Sequence, residues 1–253
     1  MSNLKVLFLG VDDPIYYVPF LDRVAAAIPG QLVGVGVVDL APSWRGRMRR
    51  VWQLAGAWGL PVLARLAVLR WLRKRTRCGG VGSMADVARR HGVPFLGYAA
   101  DCNGPLVGEW LQKTRPDVVV STLTQKVAAV TFAAVPNGFI NTHHGLLPRH
   151  AGRLAPFWAL LAGDRELGTT FHMMADGIDT GPILAQVRTT PLRGESLHDL
   201  LERLFAAAAP VLATLLRQPA LTPISPEGRP EQRNPVPTRA DVRRLRARGH
   251  RYF

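Results

Sequence analysis

The side chains best suited to chemistry concentrate in residues 141–186, which read NTHHGLLPRHAGRLAPFWALLAGDRELGTTFHMMADGIDTGPILAQ. Asn141, His143 and His144 follow the apolar pair Phe139 and Ile140, His172 lies in the strand-like run 169–174, and Asp176 and Asp179 sit in a turn-rich loop. Asn141 can donate a hydrogen bond without titrating. His143, two residues on, faces the same side if the strand continues, and its imidazole can hold or donate a proton near neutrality. A carboxylate beside it favours the imidazolium and can relay protons through water, and Asp179 is the candidate. An amide, an imidazole and a carboxylate together suit a reaction in which an oxygen gains negative charge and a proton changes place.

These residues must be held at strand ends. The run 4–9 ends at Gly10 and reads as a buried strand, 15–28 has helical spacing, and 32–38 is the next strand. Such a βαβ opening points to a parallel sheet, and open α/β sheets bind ligands beyond the carboxyl ends of their strands. Helices are expected at 84–91, 105–113 and 126–135, and strands at 93–97, 117–121, 138–141 and 184–189. A long helix at 196–216 carries Ser196 as N-cap and Leu197, Leu200, Leu201 and Leu204 on one face. The loop Gly10-Val11-Asp12-Asp13-Pro14 lacks the spaced glycines of a dinucleotide fingerprint. The histidines show no metal-ligand spacing, Cys78 and Cys102 form no disulfide framework, and no Gly-x-Ser-x-Gly elbow occurs.

Asn141-x-His143, then Leu146-Leu147-Pro148, then Asp179-Thr180-Gly181-Pro182 resembles the folate-dependent formyltransferase family. The resemblance is strongest over 141–186 and extends over most of the first 215 residues. It implies a Rossmann-like formyltransferase fold: α/β, a mostly parallel twisted sheet with helices on both faces. A helical insertion at 43–77 and a short Pro/Arg-rich tail at 218–253 accompany a catalytic domain at 1–217. The implied reaction transfers a formyl group from 10-formyltetrahydrofolate, without a metal, to a primary amine. Asn141, His143 and Asp179 match the family's catalytic trio, with Asn141 and His143 stabilising the oxyanion and Asp179 assisting proton transfer. By the same resemblance the donor's pterin lies between Leu123, Thr124 and Gln125 on one side and Ala175, Asp176 and Gly177 on the other. His144 and His172 are candidates for contact with the acceptor, and His150 is read as surface.

The expected partner is a small amine that can carry phosphate, such as a nucleotide-linked amino sugar, which suits the net charge of +14. Transfer RNA is disfavoured. Methionyl-tRNA formyltransferases carry a further C-terminal barrel and tend to have an arginine where Ala151 stands. Glycinamide ribonucleotide enzymes usually have a glycine-rich phosphate loop where this chain has Gly10-Val11-Asp12-Asp13. The alternatives are a methionyl-tRNA formyltransferase-like enzyme, a formyltetrahydrofolate hydrolase and a non-catalytic folate or nucleic-acid binding module. The insertion reads as two helices broken at Gly59-Leu60-Pro61, with Trp44, Trp52, Trp58, Trp71 and many arginines. Each arginine at a bilayer centre costs about 2.5–3.5 kcal/mol, so a membrane span is disfavoured. Packing within the protein or in a homodimer is favoured over contact with a membrane surface. The location expected is cytoplasmic, because the N-terminal apolar run ends at once in Gly10-Val11-Asp12-Asp13 and no signal peptide is legible.

Overall fold

Apolar runs flanked by glycine and aspartate set the first layer. A computed structural model of the chain describes residues 4–38, 44–76, 80–123, 125–224 and 233–253. In chain order its elements are β1 (Val6–Gly10), α1 (Tyr17–Ala27), β2 (Leu32–Val38), α2 (Trp44–Trp58), α3 (Leu60–Thr76), α4 (Met84–Arg90), β3 (Phe95–Ala99), α5 (Pro105–Thr114), β4 (Val118–Ser121), α6 (Ala129–Ala133) and β5 (Phe139–His143). They continue with β6 (Ala151–Gly152), α7 (Ala155–Ala162), β7 (Leu167–Met173), β8 (Ile183–Thr189), α8 (Leu197–Leu216), β9 (Arg233–Asn234) and α9 (Arg239–Ala247).

Among the described residues, seven strands form one sheet in the order β3-β2-β1-β4-β5-β7-β8. The first five are mutually parallel; β7 runs antiparallel to β5, and β8 antiparallel to β7. Strand order reverses between β1 and β4, which opens a crevice at their carboxyl ends. At this point Gly10 has no room for a side chain, because a Cβ there would meet Thr122 Oγ1 at 2.5 Å.

Side chains alternate across the sheet, and helices cover both faces. Val6, Phe8, Val118, Val120, Ile140 and Phe171 face α1, α4 and α8. Leu7, Leu9, Val119 and Phe139 face Val107, Trp110 and Leu111 of α5. The α8 helix starts as its sequence expects: Ser196 Oγ accepts from Asp199 N, and the Asp199 carboxylate accepts from Ser196 N, a capping box. Its buried Leu200, Leu204 and Leu212 each contribute about 1.5–3 kcal/mol of apolar burial.

Two elements depart from the sequence expectation. The helix expected at 126–135 shrinks to Ala129–Ala133. Side chains hold the segment before it in place: Gln125 accepts from Cys102 N and donates to Ala100 O, and Asn103 Oδ1 accepts from Ala128 N. The strand expected to end at Asn141 runs on through His143, because β7 pairs with it as far as His143↔Thr170.

The insertion folds as two helices that meet at Gly59, whose φ of +89° ends α2. Trp58 packs on Phe157 of α7, Tyr252, and Val242 and Leu245 of α9. No residue of α3 is buried; ion pairs Arg70–Asp13, Lys74–Asp12 and Arg73–Glu202 hold it to the domain. No described helix is long and apolar enough to cross a membrane. Beyond α8 the chain pairs β9 with β6 and docks α9 against α2 and α7. Its end adds backbone hydrogen bonds from Leu197 N to Arg251 O and from His198 N to Tyr252 O.

Candidate active site

Extension of β5 through His143 places Asn141 and His143 on one face of the sheet, and the β5–β7 register sets His172 opposite Asn141. Asp179 reaches the same spot from the loop between β7 and β8. Its backbone is left-handed, φ +55°, a conformation aspartate tolerates better than most side chains. Gly181 in this loop has no room for a Cβ, because the carbonyl oxygen of Met173 lies against it. Four of the expected residues, Asn141, His143, His172 and Asp179, are thereby brought together.

The contacts fix their orientation. His172 Nδ1 donates to Met173 O at 2.9 Å, so its Nε2 accepts from Asn141 Nδ2 at 3.1 Å. Asn141 Nδ2 also donates to Asp179 Oδ1 at 3.4 Å. Two acceptors on one side of Asn141 require that its NH2, not its oxygen, face them. Asp179 Oδ2 accepts from Gly152 N at 2.8 Å and lies 3.6 Å from His143 Nδ1. His143 Nε2 donates to His150 O at 3.0 Å, which leaves the Nδ1 lone pair of the neutral ring facing Asp179. Gly145 packs over that ring, where a Cβ would meet His143 Nε2 at 2.6 Å.

Burial sets the charges. His143 and Asp179 are each about 8% exposed and His172 2%. Burial, with the neighbouring rings of His172 and His150, pushes the His143 pKa below its usual value against the pull of Asp179. Burial also acts to raise Asp179, but the His172 ring, the His143 ring and the Gly152 N–H outweigh it and hold the carboxyl at about 2. At neutral pH the site therefore holds an ionised carboxylate beside a neutral imidazole that is ready to accept a proton.

His144 is not part of this group. Alternation turns it to the opposite face, where its ring lies 3.8 Å from that of Phe205 on α8 and its Nδ1 meets Thr169 Oγ1 at 2.9 Å. Burial there drives its pKa down to about 3. His150, expected at the surface, is partly buried: its ring bonds Asp164 at 2.8 Å and its carbonyl serves His143. Gly152 and Thr170 were also not singled out from sequence. Thr170 Oγ1 donates to Gly145 O and accepts from Leu147 N, which ties the loop after β5 to β7. Nothing in the residue types marks these roles: Gly152 acts through its backbone N–H, and Thr170 through a hydroxyl that bonds loop backbone groups.

Of the residues expected around the donor, Thr124 lies outside the described residues. Leu123 packs against the α5-side core, and both ends of the Gln125 amide bond the 100–102 turn. Ala175, Asp176 and Gly177 form the facing loop, linked to the first by Lys126 Nζ–Asp176 Oδ1 at 3.2 Å. Both partners are largely exposed, and such a pair contributes only about 0–1 kcal/mol, so it ties the two loops only weakly. Among the described residues no group of side chains could hold a metal ion.

Residues 103–216 match the Formyl transferase family model. The chain is 34% identical over 187 residues to the methionyl-tRNA formyltransferase of Thermus thermophilus, an alignment that covers 67% of this chain and 61% of that protein. Its fold is similar to that of a glycinamide ribonucleotide transformylase from Symbiobacterium toebii, with a TM-score of 0.61, 21% identity, and coverage of 86% of this chain and 88% of the other. It is also similar to a 4-N formyltransferase from Francisella tularensis, with a TM-score of 0.58, 15% identity, and coverage of 95% and 79%. Through the domain at 103–216 the chain belongs to the folate-dependent formyltransferase family.

Proposed function

We propose that the chain transfers the formyl group of 10-formyltetrahydrofolate to the primary amine of a small, anionic substrate, a nucleotide-linked amino sugar being the type that suits its charge. The observation that carries this reading is the group formed by half-buried Asn141 with buried His143, His172 and Asp179 inside a formyl transferase domain. The donor, when bound, supplies the carbonyl that the amine attacks. By the family resemblance its pterin is assigned to the space between 123–125 and 175–179. Thr122 Oγ1, buried at the head of the first loop without a hydrogen-bond partner, is a polar atom that a ligand could satisfy there.

The side chains divide the work. Asn141 turns an N–H from its long 3.4 Å contact with Asp179 toward the oxygen that gains charge as the amine attacks. The His143 ring takes up at Nδ1, relayed by a water beside Asp179, the proton that the amine loses; charged, it stabilises the negative oxygen through space and then returns the proton to the departing nitrogen. Asp179 assists by stabilising the charged ring, through a bridging water or a small closure of the 3.6 Å gap. His172 takes one Asn141 N–H and thereby holds the amide plane. Proton count is conserved: the amine gives up one proton and the leaving nitrogen gains one.

A second reading has methionyl-tRNA as acceptor. The 34% identity to a methionyl-tRNA formyltransferase favours it. Turnover of 10-formyltetrahydrofolate should be measured with nucleotide-linked amino sugars, other phosphorylated amines, methionyl-tRNA, and no amine. Formylation of a small amine is the expected result; formylation of methionyl-tRNA alone selects the second reading. Formate release that no amine accelerates rejects transfer in favour of hydrolysis.

A further inference from the structure

The two backbone groups that orient the trio belong to one short segment. His150 O accepts from His143, and Gly152 N donates to Asp179. This segment has little secondary structure of its own, since β6 is two residues long. Its strand partner comes from the far end of the chain: β9 pairs in parallel with it, Ala151↔Arg233 and Gly152↔Asn234.

The contact is close and specific. Gly152 has a φ of +94°, and a Cβ there would lie 2.5 Å from Asn234 O and 2.8 Å from Asn234 N. A glycine is needed both for its backbone conformation and because the tail's backbone passes directly against it. Arg153 N donates to Asn234 O at 3.0 Å, and Trp158 Nε1 donates to Pro235 O at 3.0 Å. Asn234 Nδ2 approaches His150 Nδ1 at 3.5 Å, while Asp164 holds the other ring nitrogen. Pro235 disfavours a helical conformation at Asn234 and so favours an extended strand. Downstream, Val242 and Leu245 of α9 sit in the core shared with α7 and α8 and anchor the segment.

We propose that residues 233–235 form a positioning strand for the trio: pairing with 150–153 fixes the His150 carbonyl and the Gly152 N–H, and through them His143 and Asp179. No side chain of the strand touches the reacting groups, so Asn234 is a positioning residue. The catalytic meaning of the strand rests on the formyl-transfer reading, whereas the coupling itself does not.

The test is a chain in which Arg233, Asn234 and Pro235 are all replaced by glycine while α9 is kept. The His143 ring 15N shifts and the Asp179 Cγ titration are followed by NMR. Wild type should show one neutral His143 tautomer, with the proton on Nε2, and the variant a mixture, with the Asp179 midpoint moved upward. Turnover should fall, on the order of 10²-fold if the groups move by about 1 Å. If the triple variant does not fold, Asn234→Gly alone is read in the same way, with smaller changes in the same direction. His143 and Asp179 spectra unchanged from wild type in either folded variant overturn the proposal. Both spectral readings need no substrate, so they are decided even if the chain transfers no formyl group. Lost turnover with wild-type spectra overturns the positioning strand and leaves the formyl-transfer reading standing.

Discussion

His143 and Asp179 face each other across 3.6 Å, Nδ1 to Oδ2, each about 8% exposed and each held from behind by a backbone group of the 150–153 segment. The separation exceeds a hydrogen bond, which fits a neutral ring whose lone pair faces the carboxylate. Protonation of Nδ1 would turn the pair into a buried, charge-assisted hydrogen bond. The pair thus changes from mutually repulsive to strongly attractive when the ring takes a proton.

The rate of the proposed transfer should follow the neutral form of His143. Its pKa is lowered from 6.5, chiefly by burial, so the acid limb of kcat/KM should lie below pH 6.5. Asp179 is the group that pulls this pKa upward. Asp179→Asn should therefore move the limb to still lower pH and reduce the rate by about 10² or more. His143→Ala should cost as much and abolish the limb. A steady-state pH profile with an unchanged limb in Asp179→Asn would contradict this coupling.

Stability should fall with acid in two windows. His143 and His144 have folded pKa values below 6.5, His144 at about 3. The unfolded chain therefore binds their protons first, and their contribution, complete above pH 6.5, is lost as pH falls from there toward the folded values. Asp179 is also depressed, from 3.8 to about 2. Its contribution is complete above about pH 3.8 and is lost as pH falls through about 2. Urea midpoints should be flat from pH 8 to 7 and drop between 6.5 and 4.5. A midpoint that does not change down to pH 4.5 would refute the histidine window.

Much of this was legible in residue order. Short apolar runs, the first ended by Gly10, located β1, β2 and β4, and Ser196 with its leucine spacing located α8, since these signals act within a few residues. Asn141, His143 and Asp179 were legible as chemistry, and alternation along β5 turned two of them to one side. The same alternation turns His144 to the opposite face, but only once the strand is known to reach His143. That length is set by pairing with β7, some thirty residues away. The role of Gly152 was hidden more deeply, because it depends on a backbone N–H and on contact with Asn234, eighty-two positions later. Helix length at 126–135 failed for a similar reason: the Asn103 side chain bonds Lys126 O and Ala128 N, backbone groups that a longer helix would use.

His144→Phe separates a packing role from contact with the acceptor. The ring lies against Phe205, and its Nε2 is buried without a partner. Phenylalanine keeps the aromatic contact, removes that unpaired nitrogen and gives up the bond to Thr169. Those changes offset each other to within about 1 kcal/mol. Turnover and KM for the amine should stay near wild type. A KM raised about tenfold, which corresponds to about 1.4 kcal/mol of lost binding, would place His144 at the acceptor after all.

The tryptophans of the insertion should differ sharply. Trp58 is 4% exposed and touches Phe157 and Tyr252, whereas Trp52 and Trp71 are 67% and 56% exposed. Trp58→Ala should cost about 3–5 kcal/mol, the range for removing a large aromatic from a core. It should also loosen α9, because Val242 and Leu245 share that cluster. Trp52→Ala and Trp71→Ala should change the stability of an isolated chain by no more than about 0.5 kcal/mol. Chemical denaturation of the three variants, with sedimentation at matched concentration, decides between the uses of this surface. A large loss for Trp52→Ala or Trp71→Ala that appears only where the wild type sediments as a dimer would mean that a second copy covers these side chains. An equal, small effect of all three substitutions would show that the insertion does not help hold the tail, and would remove the packing role assigned to Trp58.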